Sequence, residues 1–204
     1  MSPVAAPSLA PATDAVVRRV VHKFGGTSVA DADRYRHVAR LLLARDEDLQ
    51  VTVVSAMKGV TDALIDLARL AAAADAGWDE RWHELRARHR AAAVALLAEN
   101  AGPSIEWLDA RFNRLREILA ALAVIGELPQ EVLDRVQGLG EVFSAHLLGH
   151  HLQALGEDAD VLDAREVLVV DHGELGVDVD WKASAAKLAL WRDAHPARRL
   201  VVTG

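Results

Sequence analysis

Three stretches of the chain carry chemically useful groups at useful spacings. The first is Lys23-Phe24-Gly25-Gly26-Thr27-Ser28-Val29, where an apolar run ends in a lysine, two glycines and two hydroxyl residues follow, and a helical pattern begins. Strand, glycine turn and helix start form a geometry in which backbone N–H groups cradle phosphate oxygens. A Cβ at Gly25 or Gly26 would keep those oxygens away from the backbone. Lys23, at the strand's exit, supplies an ammonium as a point charge for phosphate. Thr27 or Ser28 either caps the helix or turns its hydroxyl to a ligand. The spacing matches neither the P-loop nor the dinucleotide Gly-x-Gly-x-x-Gly pattern. Gly-Gly taken alone fits a tight turn beside a surface lysine equally well.

The second stretch is Ser55-Ala56-Met57-Lys58-Gly59-Val60-Thr61. The hydroxyls of Ser55 and Thr61, with the free N–H groups of a helix start, suit a carboxylate; Thr61 serving only as an N-cap is the simpler alternative. In the third stretch, Gly138-Leu139-Gly140-Glu141-Val142-Phe143-Ser144-Ala145, two glycines interrupt a helical pattern, where each costs about 1 kcal/mol relative to alanine. Helical spacing gathers Gly138, Glu141, Ser144 and Ala145 on one stripe, so a carboxylate stands among small residues. That arrangement suits an ammonium ligand; close backbone packing beside a solvated Glu141 explains the glycines as well. His146, His150 and His151 share helix spacing, but no acidic third ligand stands near them, and no metal site is expected.

Elements that must position these groups follow from periodicity. Strands are predicted at 16–24, 49–55, 160–163, 165–170 and 198–203. Helices are predicted at 28–45 and from Thr61 to about 76, then over two charged segments, 78–99 and 104–125, separated by Asn100-Ala101-Gly102-Pro103. A further helix opens at Pro129 and runs to about 155, and the last covers 182–194 with Ser184 as a candidate cap. Strand–helix–strand units at both ends predict an α/β fold with a mainly parallel sheet, flanking helices and a helical insertion at about 78–128. If the first two strands are parallel, the Gly-Gly turn and the Ser55 loop share the sheet's carboxyl edge, where such sheets bind ligands. The strand at 198–203 is expected to lack its next neighbour and to leave an unpaired edge.

Composition narrows the function classes. The 204 residues include no cysteine, which removes disulfides and thiolate chemistry and suits a cytoplasmic protein. A net charge of −7 argues against a nucleic-acid partner, and the interleaved arginines of 78–125 read as solvated helix faces. Through residue 60 there are eight basic and six acidic residues, against 15 and 24 in the remainder, so an anion finds its friendliest field near the Gly-Gly turn. No apolar run approaches the ~20 residues of a membrane span. Residues 1–15, rich in Ala, Pro and Ser, read as a disordered tail.

The string Lys23-Phe24-Gly25-Gly26-Thr27-Ser28-Val29 resembles the opening signature of the aspartokinases, in the amino-acid kinase superfamily. Val53-Val54-Ser55-Ala56 with Val60-Thr61 is similar to that family's second segment, and Gly140-Glu141 to its Gly-Glu segment. Leu162-Asp163-Ala164-Arg165-Glu166-Val167-Leu168 looks like the segment after it. With Val179-Asp180-Trp181 and Val201-Val202-Thr203-Gly204, the resemblance leans to the bifunctional aspartokinase–homoserine dehydrogenases. It implies that residues 16–204 are the amino-terminal part of an amino-acid kinase domain, inactive alone, whose carboxyl-terminal nucleotide lobe is missing together with the family's Gly-Arg loop and its substrate-binding arginine. It implies ATP with Mg²⁺ and L-aspartate as ligands and a homo-oligomer at full length. Lys23, Gly25, Gly26, Thr27 and Ser28 would meet the transferring phosphate, Lys23 as the catalytic cation. Ser55 and Thr61 would contact aspartate, and Glu141 its amino group.

Overall fold

The structure is a computed structural model that describes residues 18–173 and 176–204. Its centre is a four-stranded, all-parallel sheet built from β1 (Arg19–Phe24), β2 (Leu49–Val54), β3 (Ala159–Leu162) and a strand late in the chain, Arg199–Thr203. The spatial order places that late strand between β2 and β3. It pairs Gln50 with Arg199 on one side and Ala159 with Arg199 on the other, so the expected unpaired edge belongs instead to β1 and β3. Local pattern could not show this, because strand order depends on partners far away in sequence.

Helices α1 (Ala32–Leu43), α2 (Val60–Ala72), α3 (Gly77–Leu97), α4 (Ala101–Ile125), α5 (Gln130–Gln137) and α6 (Leu139–Ala154) are built largely on Leu and Ala. Helix α6 runs against β2, β3 and the late strand, and α2, α3 and α4 pack upon one another beyond it. Their shared core holds the fully buried Tyr35, Leu64, Phe112, Phe143 and Leu148. Phe112 and Phe143 stack with ring centroids 4.8 Å apart. The other sheet face meets α8 (Trp181–Ala194), where Trp191 joins Leu162, Leu200, Val51 and Val202 in a smaller cluster. Before it come the single turn α7 (Ala164–Val167) and an antiparallel hairpin, β4 (Val170–Gly173) with β5 (Gly176–Val179). The late strand, Arg199–Thr203, is β6. Among the described residues no helix is long and apolar enough to cross a membrane.

Several boundaries differ from the sequence reading for local reasons. Residues 16 and 17 lie outside the described residues, as does the tail at 1–15. Helix α1 starts four residues late: Ser28 N donates to Gly25 O at 2.8 Å in a turn, and the Asp31 carboxylate caps the helix by accepting from Arg34 N at 2.9 Å. Neither Thr27 nor Ser28 is therefore the cap. Gly59, in the left-handed region at φ 78°, fills the cap position of α2, and Thr61 is its second helical residue. The α3–α4 break falls at Ala98, with φ 48°, and Gly102-Pro103 sits inside the first turn of α4, where proline's missing N–H costs nothing. The helix predicted from Pro129 onward breaks at Gly138 into α5 and α6. The strand predicted at 165–170 is instead helical at its start, because Asp163 caps α7 by accepting from Arg165 N. Ser184 does not cap α8. Asp180 does, and Ser184 Oγ accepts from Val169 N at 2.9 Å to tie α8 to the segment before β4.

A buried ring contributes to acid sensitivity. His89 is fully buried between Phe112 and Phe143, and its Nδ1 donates to Leu85 O at 2.8 Å. Nε2 has no partner among the described residues. Burial pushes the imidazole down to about 4. The unfolded chain takes up this proton near 6.5, so stability is complete above that pH and falls as pH drops toward 4. The His89 contribution to the loss is about 3 kcal/mol over that window. His89→Leu is expected to lessen the dependence of the urea midpoint on pH between 6.5 and 4, the remainder coming from His146, His150 and His151, which burial also holds below their ordinary range. A variant as acid-sensitive as the wild type would remove His89 as a cause.

Candidate active site

The candidate site lies along the carboxyl edge of the sheet. Because β1 and β2 are parallel, Phe24 and Val54 end side by side, and Ser55 N donates to Phe24 O at 3.0 Å. The two following loops are stitched together: Lys58 N donates to Gly26 O at 3.1 Å. A Cβ at Gly26 would stand 2.8 Å from Ala56 O, so only glycine permits this approach. By contrast, nothing lies within 4 Å of where a Cβ on Gly25 would sit, leaving its backbone open to a ligand. Gly204, after β6, packs against the same edge, its N–H donating to Val54 O at 2.9 Å.

Lys23 points from an exposed position at the end of β1, and among the described residues no carboxylate pairs with it. Glu141, half-buried in the first turn of α6, reaches across to the Ser55 loop, where its Oε1 accepts from Ala56 N at 3.4 Å. Gly140 makes that reach possible. A Cβ there would sit 2.6 Å from Ala56 Cβ and 3.2 Å from Val60 Cγ1, so the start of α6 lies directly upon the loop and the start of α2. Lys23, Gly25, Gly26, Ser55 and Glu141 thus gather at one edge.

Other residues fall differently. Thr27 and Ser28 line a separate cavity of ≈ 410 Å³ with Arg34 and His37. Thr61 is half-buried within α2. The supposed stripe through Gly138, Glu141, Ser144 and Ala145 does not hold, since Gly138 is the α5–α6 junction and Ser144 and Ala145 are core. Ser144 Oγ accepts from the Tyr35 hydroxyl at 3.0 Å, and burial pushes that phenol well above its ordinary pKa. His146 stacks on Trp107 at 3.7 Å and meets Ser104 Oγ at 2.9 Å; burial pushes it down to about 2, so it packs as a neutral ring. Among the described residues no group of three or more His, Asp or Glu is placed to hold a metal.

Two residues important to the edge escaped the sequence reading. Arg88 of α3, read as a solvated face, donates from Nη2 to Ala30 O at 3.2 Å and Lys58 O at 3.0 Å, pinning both loops to the helical layer. Arg165 is gripped by Asp163, whose oxygens accept from Nε at 2.9 and 3.1 Å and from Nη2 at 2.6 Å. Burial opposes ionisation of Asp163, and the hydrogen bonds from Arg165 outweigh it, holding the carboxyl below its ordinary range. Arg88 acts across 58 and 30 residues of sequence, where periodicity carries no signal, whereas Arg165 and Asp163 are only two residues apart.

The family model described as the amino acid kinase family matches residues 18–204. This chain belongs to the amino acid kinase family. Within that family it is 34% identical over 186 residues to the maize bifunctional aspartokinase/homoserine dehydrogenase 1, chloroplastic, covering 90% of this chain and 20% of the relative. The match to bifunctional aspartokinase/homoserine dehydrogenase 2 of Escherichia coli (strain K12) is 34% over 188 residues, 91% of this chain and 22% of the relative. The fold superposes on E. coli aspartokinase III, solved in complex with aspartate and ADP, with a TM-score of 0.78 at 25% identity, covering 90% of this chain and 40% of that one. The chain therefore spans about a fifth of the length of these curated relatives. The amino acid kinase fold accounts for the parallel sheet and its flanking helices, as the sequence predicted.

Proposed function

We propose that this chain forms the aspartate-binding part of an aspartate kinase, transferring the γ-phosphoryl group of ATP to the side-chain carboxylate of L-aspartate. The product is 4-phospho-L-aspartate, the entry to lysine, threonine and methionine synthesis. The observation that carries the reading is the meeting of Lys23, the open Gly25 backbone, Ser55 and Glu141 along one sheet edge. A carboxylate oxygen attacks the γ-phosphorus, and little covalent help is needed beyond alignment and charge. Lys23 and the N–H groups of the Gly25-Gly26 turn stabilise the equatorial oxygens, with Thr27 and Ser28 completing the turn. Mg²⁺ enters with the nucleotide as part of the substrate. Ser55 and Thr61 meet the aspartate carboxylate, and Glu141 meets its ammonium group. The bifunctional relatives support the bifunctional subtype, and we further propose a cytoplasmic homo-oligomer without nucleic-acid partners.

A related kinase acting on acetylglutamate is the main rival. Glu141 weighs against it, because an acetylated nitrogen carries no charge for the carboxylate to pair. The deciding assay is ADP release by a complete aspartokinase containing this chain, given L-aspartate or N-acetyl-L-glutamate. Turnover of acetylglutamate but not aspartate would reject the assignment. In the same enzyme, Glu141→Ala is expected to raise the aspartate KM roughly 10- to 100-fold, the worth of a charge-assisted hydrogen bond, with little change in the ATP KM. Glu141→Gln keeps an acceptor oxygen and falls between. Unchanged aspartate KM in both variants would reduce Glu141 to a solvated helix residue.

A further inference from the structure

We propose that the cleft between α4 and the α5–α6 junction binds an amphipathic anion, a small molecule with an apolar body and a carboxylate or phosphate head. None of Lys23, Gly25, Ser55 and Glu141 lines this cleft, and the proposal does not depend on the function argued above. Its cavity measures ≈ 410 Å³, within the range of small-molecule sites. The α4 wall carries Arg111, Leu115 and Ile118 at i, i+4 and i+7, so one helix face presents a cation and then an apolar strip. Val136 and Leu139 face it from the end of α5 and the start of α6. Leu115 and Val136 are fully buried, while Ile118 and Leu139 are half-buried and keep apolar surface open in the cleft. Every charged residue of the lining is an arginine, with Arg114, Arg135 and Arg165 joining Arg111. This runs against the charge of the surrounding chain, since residues 61–204 hold 15 basic and 24 acidic residues.

Two of the four cations are already neutralised. Arg114 pairs with Glu117 at 2.7 Å and Arg165 with Asp163 at 2.6 Å. The charge left over belongs to Arg111 and Arg135, which have no ion pair among the described residues. Asp134, beside Arg135 in sequence, accepts instead from Gln130 Nε2 at 2.7 Å and Gln137 Nε2 at 3.1 Å. The Arg111 guanidinium lies over the Trp107 ring, 3.4 Å from its centroid, and that ring is itself stacked on His146 at 3.7 Å. The fork is therefore held in place before a ligand arrives, and little side-chain entropy is lost on binding. Burial lowers the pKa of Arg111, and the neighbouring Arg165 charge works in the same direction, against Asp163 and Glu166, which raise it. An anion bound at Arg111 offsets that cost. A guanidinium takes a carboxylate or phosphate through two parallel N–H donors. The apolar floor selects against a bare inorganic ion, because each methylene buried there adds affinity.

The test titrates the 204-residue chain with octanoate and with octyl phosphate, following the methyl resonances of Leu115, Ile118, Val136 and Leu139 by NMR. These methyls are expected to shift saturably at millimolar concentration or below, and the tighter probe names the head. Acetate and inorganic phosphate (heads without a body) and octanol (a body without a head) should each bind at least about tenfold more weakly. Arg111→Ala and Arg135→Glu should each weaken the tighter probe by about tenfold or more. Arg81→Ala, on α3, should leave it unchanged. Arg135 is exposed, so its variant keeps the fold and decides the matter if Arg111→Ala does not fold. No saturable shift with either probe overturns the proposal, as does octanol binding equally tightly or wild-type affinity in folded Arg135→Glu. Methyl shifts that follow protein concentration instead of the probe would make the cleft an interface between copies and overturn it as well.

Discussion

Replacing Lys23 by alanine in a complete aspartokinase containing this chain is expected to lower kcat by about 10²-fold or more, with the aspartate KM shifting less than about threefold. Lys23 stands at the exit of β1, exposed and with no carboxylate partner among the described residues, beside a turn whose Gly25 backbone is open. A cation so placed meets charge that builds on the transferred phosphoryl group, and an interaction made mainly in the transition state appears in kcat. Lys23→Arg is expected to recover only part of the loss, because a planar fork does not occupy the place of a compact ammonium. Initial-rate kinetics with varied aspartate and ATP separate the two constants. A kcat within a few-fold of wild type would show that the phosphate is held elsewhere.

The 204-residue chain by itself is expected to release no ADP from ATP, Mg²⁺ and aspartate above a Lys23→Ala control. The match covers only 40% of aspartokinase III, the relative solved with aspartate and ADP. Phosphoryl transfer depends on holding two reactants in line, an advantage worth several orders of magnitude in rate that half a clamp forfeits. The exposure of Lys23 is consistent with a phosphate site open on one side. A coupled assay at high chain concentration gives the answer directly. Lys23-dependent ADP formation would place a working nucleotide pocket within these residues.

Much of the edge was legible because its features are local. The β-branched runs at 19–24 and 49–54 form the strands predicted there, and Gly25-Gly26 is the turn that the doubled glycine announced. Sequence pattern carries no signal where the partner is distant. Gly140 reads in the sequence as a glycine interrupting a helical pattern, yet its role is to let α6 touch Ala56, more than eighty positions earlier. Gly149 drew no attention at all, although a Cβ there would lie 2.1 Å from Val161 Cγ2. The segment 165–170 reads as a strand by composition, but the Asp163 carboxylate supplies a helix cap that wins over β-branching for the turn Ala164–Val167. Trp181, a large ring of the kind usually buried, is 73% exposed. Hydrophobicity favours burial without ensuring it.

The position of β6 has a consequence for how the molecule is made. Its partner strands are β2 and β3, and Arg199 of β6 reaches Gln50 across 149 residues of sequence. During synthesis β1 and β2 emerge early and can pair, while β3 must wait beside an empty slot. Until β6 leaves the ribosome, the sheet is split into a two-stranded ribbon and a lone strand, each too small to stand alone in water. The helical layer, whose contacts are closer in sequence, can collapse first and shelter those edges. Sheet closure is then the slow, late event of folding, governed by a long-range search rather than by local propensity.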